Sequence, residues 1–247
     1  MQDRYAGDIG DFGKIALLQQ IREKGLTIGV NWYKVNPADY ERNPDGSFKQ
    51  EDGKYRIPEK YHVCDEALAE KLLEISKSKK RSIKAIEETD LIYGAKYFNK
   101  TVLLEDRIKW HNDALKKLQG TELVFLDPDN GLLVKSVRKS SARSVKYAFY
   151  EEVKTYIDNG QSVLVYNHRS RKQESVYFQE IIDKLKELGV PEEMILTITF
   201  PRCSIRDYFA ICANKDHYKK INSAFETMFS SAWGDKETGI CRRSIRV

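Results

Sequence analysis

Apolar positions recur at two periods along this chain. Between Asp11 and Lys24, the residues Phe12, Ile15, Leu17, Leu18 and Ile21 share one helical face, which predicts an amphipathic helix entered through Asp11 and closed by Gly25. Leu26 to Tyr33 reads as a buried strand. Asp65 to Ser76 and Lys80 to Glu88 read as short helices, Thr101 to Glu105 as a strand and Ile108 to Leu118 as a helix. Glu122 to Leu126 is the clearest buried strand. The alternation continues with a helix over Tyr147 to Asp158, a strand over Ser162 to Tyr166 and a helix over Ser175 to Leu188. Leu196 to Phe200 and Asp207 to Ala213 read as closing strands, with a helix over His217 to Phe229. This order predicts an α/β fold: a mostly parallel twisted sheet with helices on both faces and an antiparallel C-terminal strand pair.

The pattern breaks between Lys34 and Tyr61, where Asn, Pro, Asp, Gly and Lys dominate and Asn43-Pro44-Asp45-Gly46 signals a turn. A chain of 247 residues is therefore expected to form a single domain, residues 1–247, with an insertion or lid at about 34–61. The formal net charge is +5, but the cations are scattered among 37 acidic residues, so an anionic partner is favoured only mildly. No apolar run approaches a membrane span, and a soluble, cytoplasmic protein without membrane contact is expected. Cys64, Cys203, Cys212 and Cys241 are widely spaced and read as reduced thiols, with Cys212 a small buried hydrophobe.

Polar residues directly after a buried strand lie where open α/β sheets bind ligands. Asp127-Pro128-Asp129-Asn130-Gly131 follows the Leu123 to Leu126 run without a gap. Two acids and an amide on so short a turn can accept hydrogen bonds from a base's amino group or ligate a hard cation. The same residues also make a plain turn. Near the N-terminus, Tyr5-Ala6-Gly7-Asp8-Ile9-Gly10-Asp11-Phe12-Gly13-Lys14 has glycines at a helix start and a lysine that could add a point charge. It matches neither established nucleotide-loop spacing. Tyr166-Asn167-His168-Arg169-Ser170-Arg171 again follows a strand and can meet phosphate or a base edge, and Arg202 with Arg206 could extend a basic rim. A solvated basic loop is the competing reading. Glu105 ends an expected strand, where an acid commonly holds ribose hydroxyls. Trp110 and His111 on the next helix read as a packing residue and a surface residue.

Together these motifs resemble the large-subunit ribosomal RNA adenine-N6 methyltransferases that act without a protein partner. The family's opening Ala-Gly-Asn-x-x-Asp-x-x-Lys-like stretch is matched in spacing by Ala6-Gly7-Asp8-Ile9-Gly10-Asp11-Phe12-Gly13-Lys14, and its Asp-Pro-Pro-Tyr motif by Asp127-Pro128-Asp129-Asn130. The resemblance implies a Rossmann-like methyltransferase fold using S-adenosylmethionine (SAM) on nucleic acid. Asp127 and Pro128, with Asp129 and Asn130, would serve an adenine amino group; Gly7, Asp8 and Lys14 would border SAM, and Tyr5 would contact nucleic acid. The sequence differs where Asn31-Trp32-Tyr33-Lys34 replaces the family's glycine-rich SAM loop and Asp129-Asn130 replaces Pro-Tyr. Two other readings stay open. One is a Mg²⁺-dependent nuclease or phosphoesterase using Asp127, Asp129 and Glu105, with Lys135 or His168 assisting. The other is a non-catalytic nucleic-acid-binding relative.

Overall fold

The computed structural model describes residues 1–36, 56–201, 204–237 and 239–244. Its helices and strands are α1 (Ile9–Glu23), β1 (Ile28–Asn31), α2 (Glu66–Lys77), α3 (Ile83–Glu88), β2 (Lys96–Phe98), α4 (Arg107–Lys117), β3 (Leu123–Leu126), β4 (Gly131–Leu132), β5 (Tyr147–Ala148), α5 (Tyr150–Asp158), β6 (Ser162–His168), α6 (Glu174–Glu187), β7 (Ile195–Phe200), β8 (Arg206–Ile211), α7 (Lys215–Ser230) and β9 (Arg242–Arg243).

A seven-stranded sheet runs β2-β1-β3-β6-β8-β7-β9. The pairs joining β2, β1, β3 and β6 are parallel, whereas β8 runs antiparallel to both β6 and β7. The expected mostly parallel, Rossmann-like α/β sheet with antiparallel C-terminal strands is therefore the observed fold. Alternation along β3 distributes its side chains: Leu123 and Phe125 join a core under α1, α2, α3 and α7, while Val124 and Leu126 join one under α4, α5 and α6. Because both faces are covered, the strand is apolar at every position, as parallel strands are.

Several boundaries move. Asp8, not Asp11, caps α1, since its carboxylate accepts the Gly10 and Asp11 N–H groups at 2.7 and 3.0 Å. The strand expected over Thr101 to Glu105 is replaced by β2 at Lys96–Phe98: Thr101 makes only an isolated bridge to Lys34, and Glu105 lies in an exposed turn. His111, expected at the surface, is buried with its ring edge against Tyr156. β4, β5 and β9 are too short to register as periodic patterns.

Most of the expected lid, residues 37–55, lies outside the described residues, as do Arg202 and Cys203. At the described ends of that segment, Lys34 bridges Thr101 while Ile57 and Tyr61 are buried in the core. Cys64, Cys212 and Cys241 are free thiols. Among the described residues no helix is long and apolar enough to cross a membrane.

Candidate active site

Strand order reverses between β1 and β3, since β1 is followed by β2 on one side and β3 by β6 on the other. Ligands in open α/β sheets bind beyond the strand ends at such a point. Asp127 is the first residue after β3, and its N–H donates to Asn31 O at 3.0 Å, tying the turn to the end of β1. A cavity of about 270 Å³ opens there, with Asp127-Pro128-Asp129-Asn130 forming one wall.

The start of α1 forms the opposite wall. Asp8, Asp11 and Lys14 are spaced by three residues, which places them along one helical face. Lys14 Nζ lies 2.9 Å from Asp11 Oδ1 and 2.6 Å from Asp127 Oδ2, and the three side chains are at most 4% exposed. The Trp32 and Tyr166 rings flank the same ammonium at 5.9 and 5.4 Å. Burial alone would pull the Lys14 pKa down, but Asp11 and Asp127 outweigh it and hold the lysine well above its ordinary value.

The two acids of the turn are driven apart. Burial pushes the Asp127 carboxyl up, against the pull of Lys14 and the Met1 ammonium. Burial also acts on Asp129, but the Met1 ammonium, 3.0 Å from Oδ1, and the Gln2 amide hold it below the usual range. Met1 N also donates to Tyr33 O and Asp127 O at 3.0 Å. Neighbouring acids with opposed shifts are a common basis for separate proton-handling roles.

Asp8 is raised to about 6, first by burial and then by Asp11, with Arg206 and Lys14 opposing. A carboxyl raised above its unfolded value holds its proton more tightly in the folded state. Its contribution to stability is therefore present at low pH and is lost as pH rises from about 4 to about 6. Asparagine caps helices as well as aspartate does. Asp8→Asn is therefore expected to gain stability relative to wild type as pH rises through that window, measured by urea unfolding at pH 4.5, 5.5 and 6.5. A constant difference across the three pH values would refute the assignment.

The antiparallel register of β6 and β8 builds the third side. It sets Tyr166 opposite Tyr208, Asn167 opposite Asp207 and His168 opposite Arg206. Tyr166 Oη and His168 Nε2 lie 2.8 Å apart. His168 is exposed at the end of β6, and partial loss of solvent around its ring, then the Arg206 charge, hold it below its ordinary range. Arg206 is buried, and although burial lowers its pKa, Tyr166 and Asp8 keep it raised and charged.

The motif residues thus divide. Tyr5, Asp8, Lys14, Asp127, Pro128, Asp129, Asn130, His168 and Arg206 come together around one cavity. Arg169, Gly7 and Glu105 do not line it. Arg169 is turned inward, its Nε and NH2 on the two Asp207 oxygens at 2.8 and 2.6 Å, with Glu174 on NH1. Gly7 takes a positive φ of 79°, and an added Cβ would lie 2.4 Å from Leu72 O, so it permits the approach of α2. Gly131 has φ 115°, with room for a Cβ denied by Asn167 Oδ1 at 1.8 Å; that oxygen accepts the Leu132 N–H and closes the turn.

Gln2, Asp11 and Lys146 also line the cavity. The three-residue spacing of Asp8, Asp11 and Lys14 carried a signal for Asp11, whereas Gln2 and Lys146 are brought in only by tertiary contacts. The chain matches no protein-family model and no curated protein.

The two implied cofactors can be tested against these residues. Arg206 suits the carboxylate of a SAM amino-acid end, and the aspartates suit its ammonium. The adenosine end is not matched. Fully buried Trp32 and Tyr33 occupy the turn after β1, and Lys34 continues the chain into its bridge with Thr101. The cavity also falls below the roughly 300 Å³ at which ligand pockets usually begin, so the described residues do not fit the whole cofactor. Mg²⁺ fits less well. Asp127 is turned to Lys14, Asp129 to Met1 and Gln2, and Glu105 is exposed, and no group of three or more His, Cys, Asp or Glu able to hold a metal occurs among the described residues.

Proposed function

We propose that the protein acts on nucleic acid as a methyltransferase-like enzyme, receiving an exocyclic amine of a base at Asp127. The observation that carries this reading is the position of Asp127: buried, at the reversal of strand order, with Lys14 on Oδ2 and the residue itself lining the cavity. An amine N–H would donate to the Asp127 carboxylate, which orients the nitrogen and gives a departing proton an acceptor. Lys14 keeps that carboxylate oriented. Tyr5, Tyr166 and His168 supply ring surfaces around the space a base would enter.

The filled turn at Trp32 and Tyr33 favours a second reading, a polynucleotide-binding protein without a methyl donor. Calorimetric titration with SAM, S-adenosylhomocysteine and adenosine monophosphate, combined with methyl transfer to an oligonucleotide, separates the two. SAM binding in the micromolar range with transfer lost in Asp127→Asn supports the enzyme. Nucleotide binding without SAM binding supports the second reading, and binding of none of the three rejects both.

A further inference from the structure

Three of the cations near the cavity are committed internally: Lys14 to Asp11 and Asp127, Arg169 to Asp207 and Glu174, while Arg206 is buried beside Asp8. None of the three is placed to hold a polymer's phosphates. A different segment is. From Gly131 to Tyr150 the sequence contains Lys135, Arg138, Lys139, Arg143 and Lys146 and no acidic residue. Lys135, Arg138, Lys139 and Arg143 are exposed. Lys139 pairs with Glu151 at 2.7 Å, both side chains being more than half exposed; among the described residues no carboxylate pairs with Lys135, Arg138 or Arg143.

This loop is anchored to the candidate site at both ends. β4 pairs in parallel with β5, Gly131 opposite Tyr147 and Leu132 opposite Ala148. Asn130 N–H donates to Lys146 O at 3.0 Å, and Lys146 itself lines the Asp127 cavity. Buried Arg107 fixes the returning limb by donating to Ser144 O at 3.3 Å and Tyr147 O at 2.6 Å. Lys135 also lines the adjoining groove with Tyr147 and Tyr150, where it joins Lys172 and Lys184 opposite Glu180, Asp183 and Glu187.

We infer that the loop spanning residues 133–146 binds the phosphate backbone of a single-stranded polynucleotide and delivers one of its bases to the Asp127 cavity. The inference rests on the proposed reading of that cavity as a base site. A loop that carries several exposed cations and is anchored at the cavity wall suits a repeating anion, and affinity of this kind weakens with salt in proportion to the phosphates neutralised.

The test is fluorescence anisotropy of labelled single-stranded RNA and DNA 20-mers, titrated from 50 to 200 mM salt, with wild type and the triple variant Lys135→Gln/Arg138→Gln/Arg143→Gln. These exposed positions lie outside the cavity. Each lost contact removes roughly 0.7 from the slope of log affinity against log salt. The variant should therefore lose about 2 from that slope, with roughly hundredfold weaker binding at 0.1 M salt, while retaining wild-type adenosine monophosphate binding. Comparison of the RNA and DNA arms identifies the preferred polymer. An unchanged slope in the variant overturns the loop's role and leaves the base-site reading standing. Wild type that binds neither polymer overturns both, as does wild type that binds only anionic phosphatidylglycerol vesicles.

Discussion

Replacing Arg169 with methionine is expected to lower the unfolding free energy by about 3–5 kcal/mol, the usual consequence of removing one partner from a buried ion pair. Asp207 is 0% exposed and would keep only the Thr199 hydroxyl, 2.7 Å from Oδ1, among its described side-chain partners. Glu174 is better protected because Arg242 also reaches it, at 2.7 and 3.0 Å. The damage should therefore concentrate on Asp207, and the double variant Arg169→Met/Asp207→Asn should recover much of the loss. For a chain of this size the single variant should melt roughly 6–20 °C lower. A melting temperature within about 2 °C of wild type, on the same scale, would mean that Arg169 faces solvent and is available to a ligand after all.

Lys14→Met is the second large effect. It strands two carboxylates, Asp11 at 0% and Asp127 at 2% exposure, around an apolar side chain. The loss should again be about 3–5 kcal/mol at neutral pH. The signature lies in pH: without the ammonium the Asp127 carboxyl, already raised by burial, is pushed further up, and protonation relieves it, so the gap from wild type should narrow as pH falls below about 5. Adding Asp127→Asn to Lys14→Met should restore stability with a coupling of about 1–3 kcal/mol. Chemical unfolding of the four proteins at pH 4.5 and pH 7.5 measures both terms. Additive losses and a pH-independent gap would rule out the ion pair as the organiser of the cavity.

The contrast between Arg169 and Lys14 also shows what could be read from the chain and what could not. β3 and β6 were legible because each is buried on both faces and reads as an apolar run. β2 was not: Lys96, Tyr97 and Phe98 pass from exposed to buried within three residues, while Val102 and Leu103 nearby imitate a strand. The Asp127 turn was legible because it follows its strand directly, and Lys14 because it closes a glycine-rich stretch at a helix start. Arg169 and Arg206 looked alike as cations at strand ends. Their partners decide the difference: Asp207 lies on β8, which pairs with β6, and Asp8 lies at the start of α1. No local pattern signals contacts over such separations. The basic segment behind Asn130 is hidden in an overall charge whose cations are scattered among acids, and only the β4–β5 pairing ties it to the cavity.

That short parallel pairing makes the segment between its strands an interchangeable part. The two ends are held by backbone hydrogen bonds and by Arg107, not by the residues at the tip. Doubling the length of such a connection adds only about 0.6 kcal/mol of closure entropy. Segments of quite different length and charge could therefore be grafted between Leu132 and Tyr147 while the Asp127 turn keeps its place.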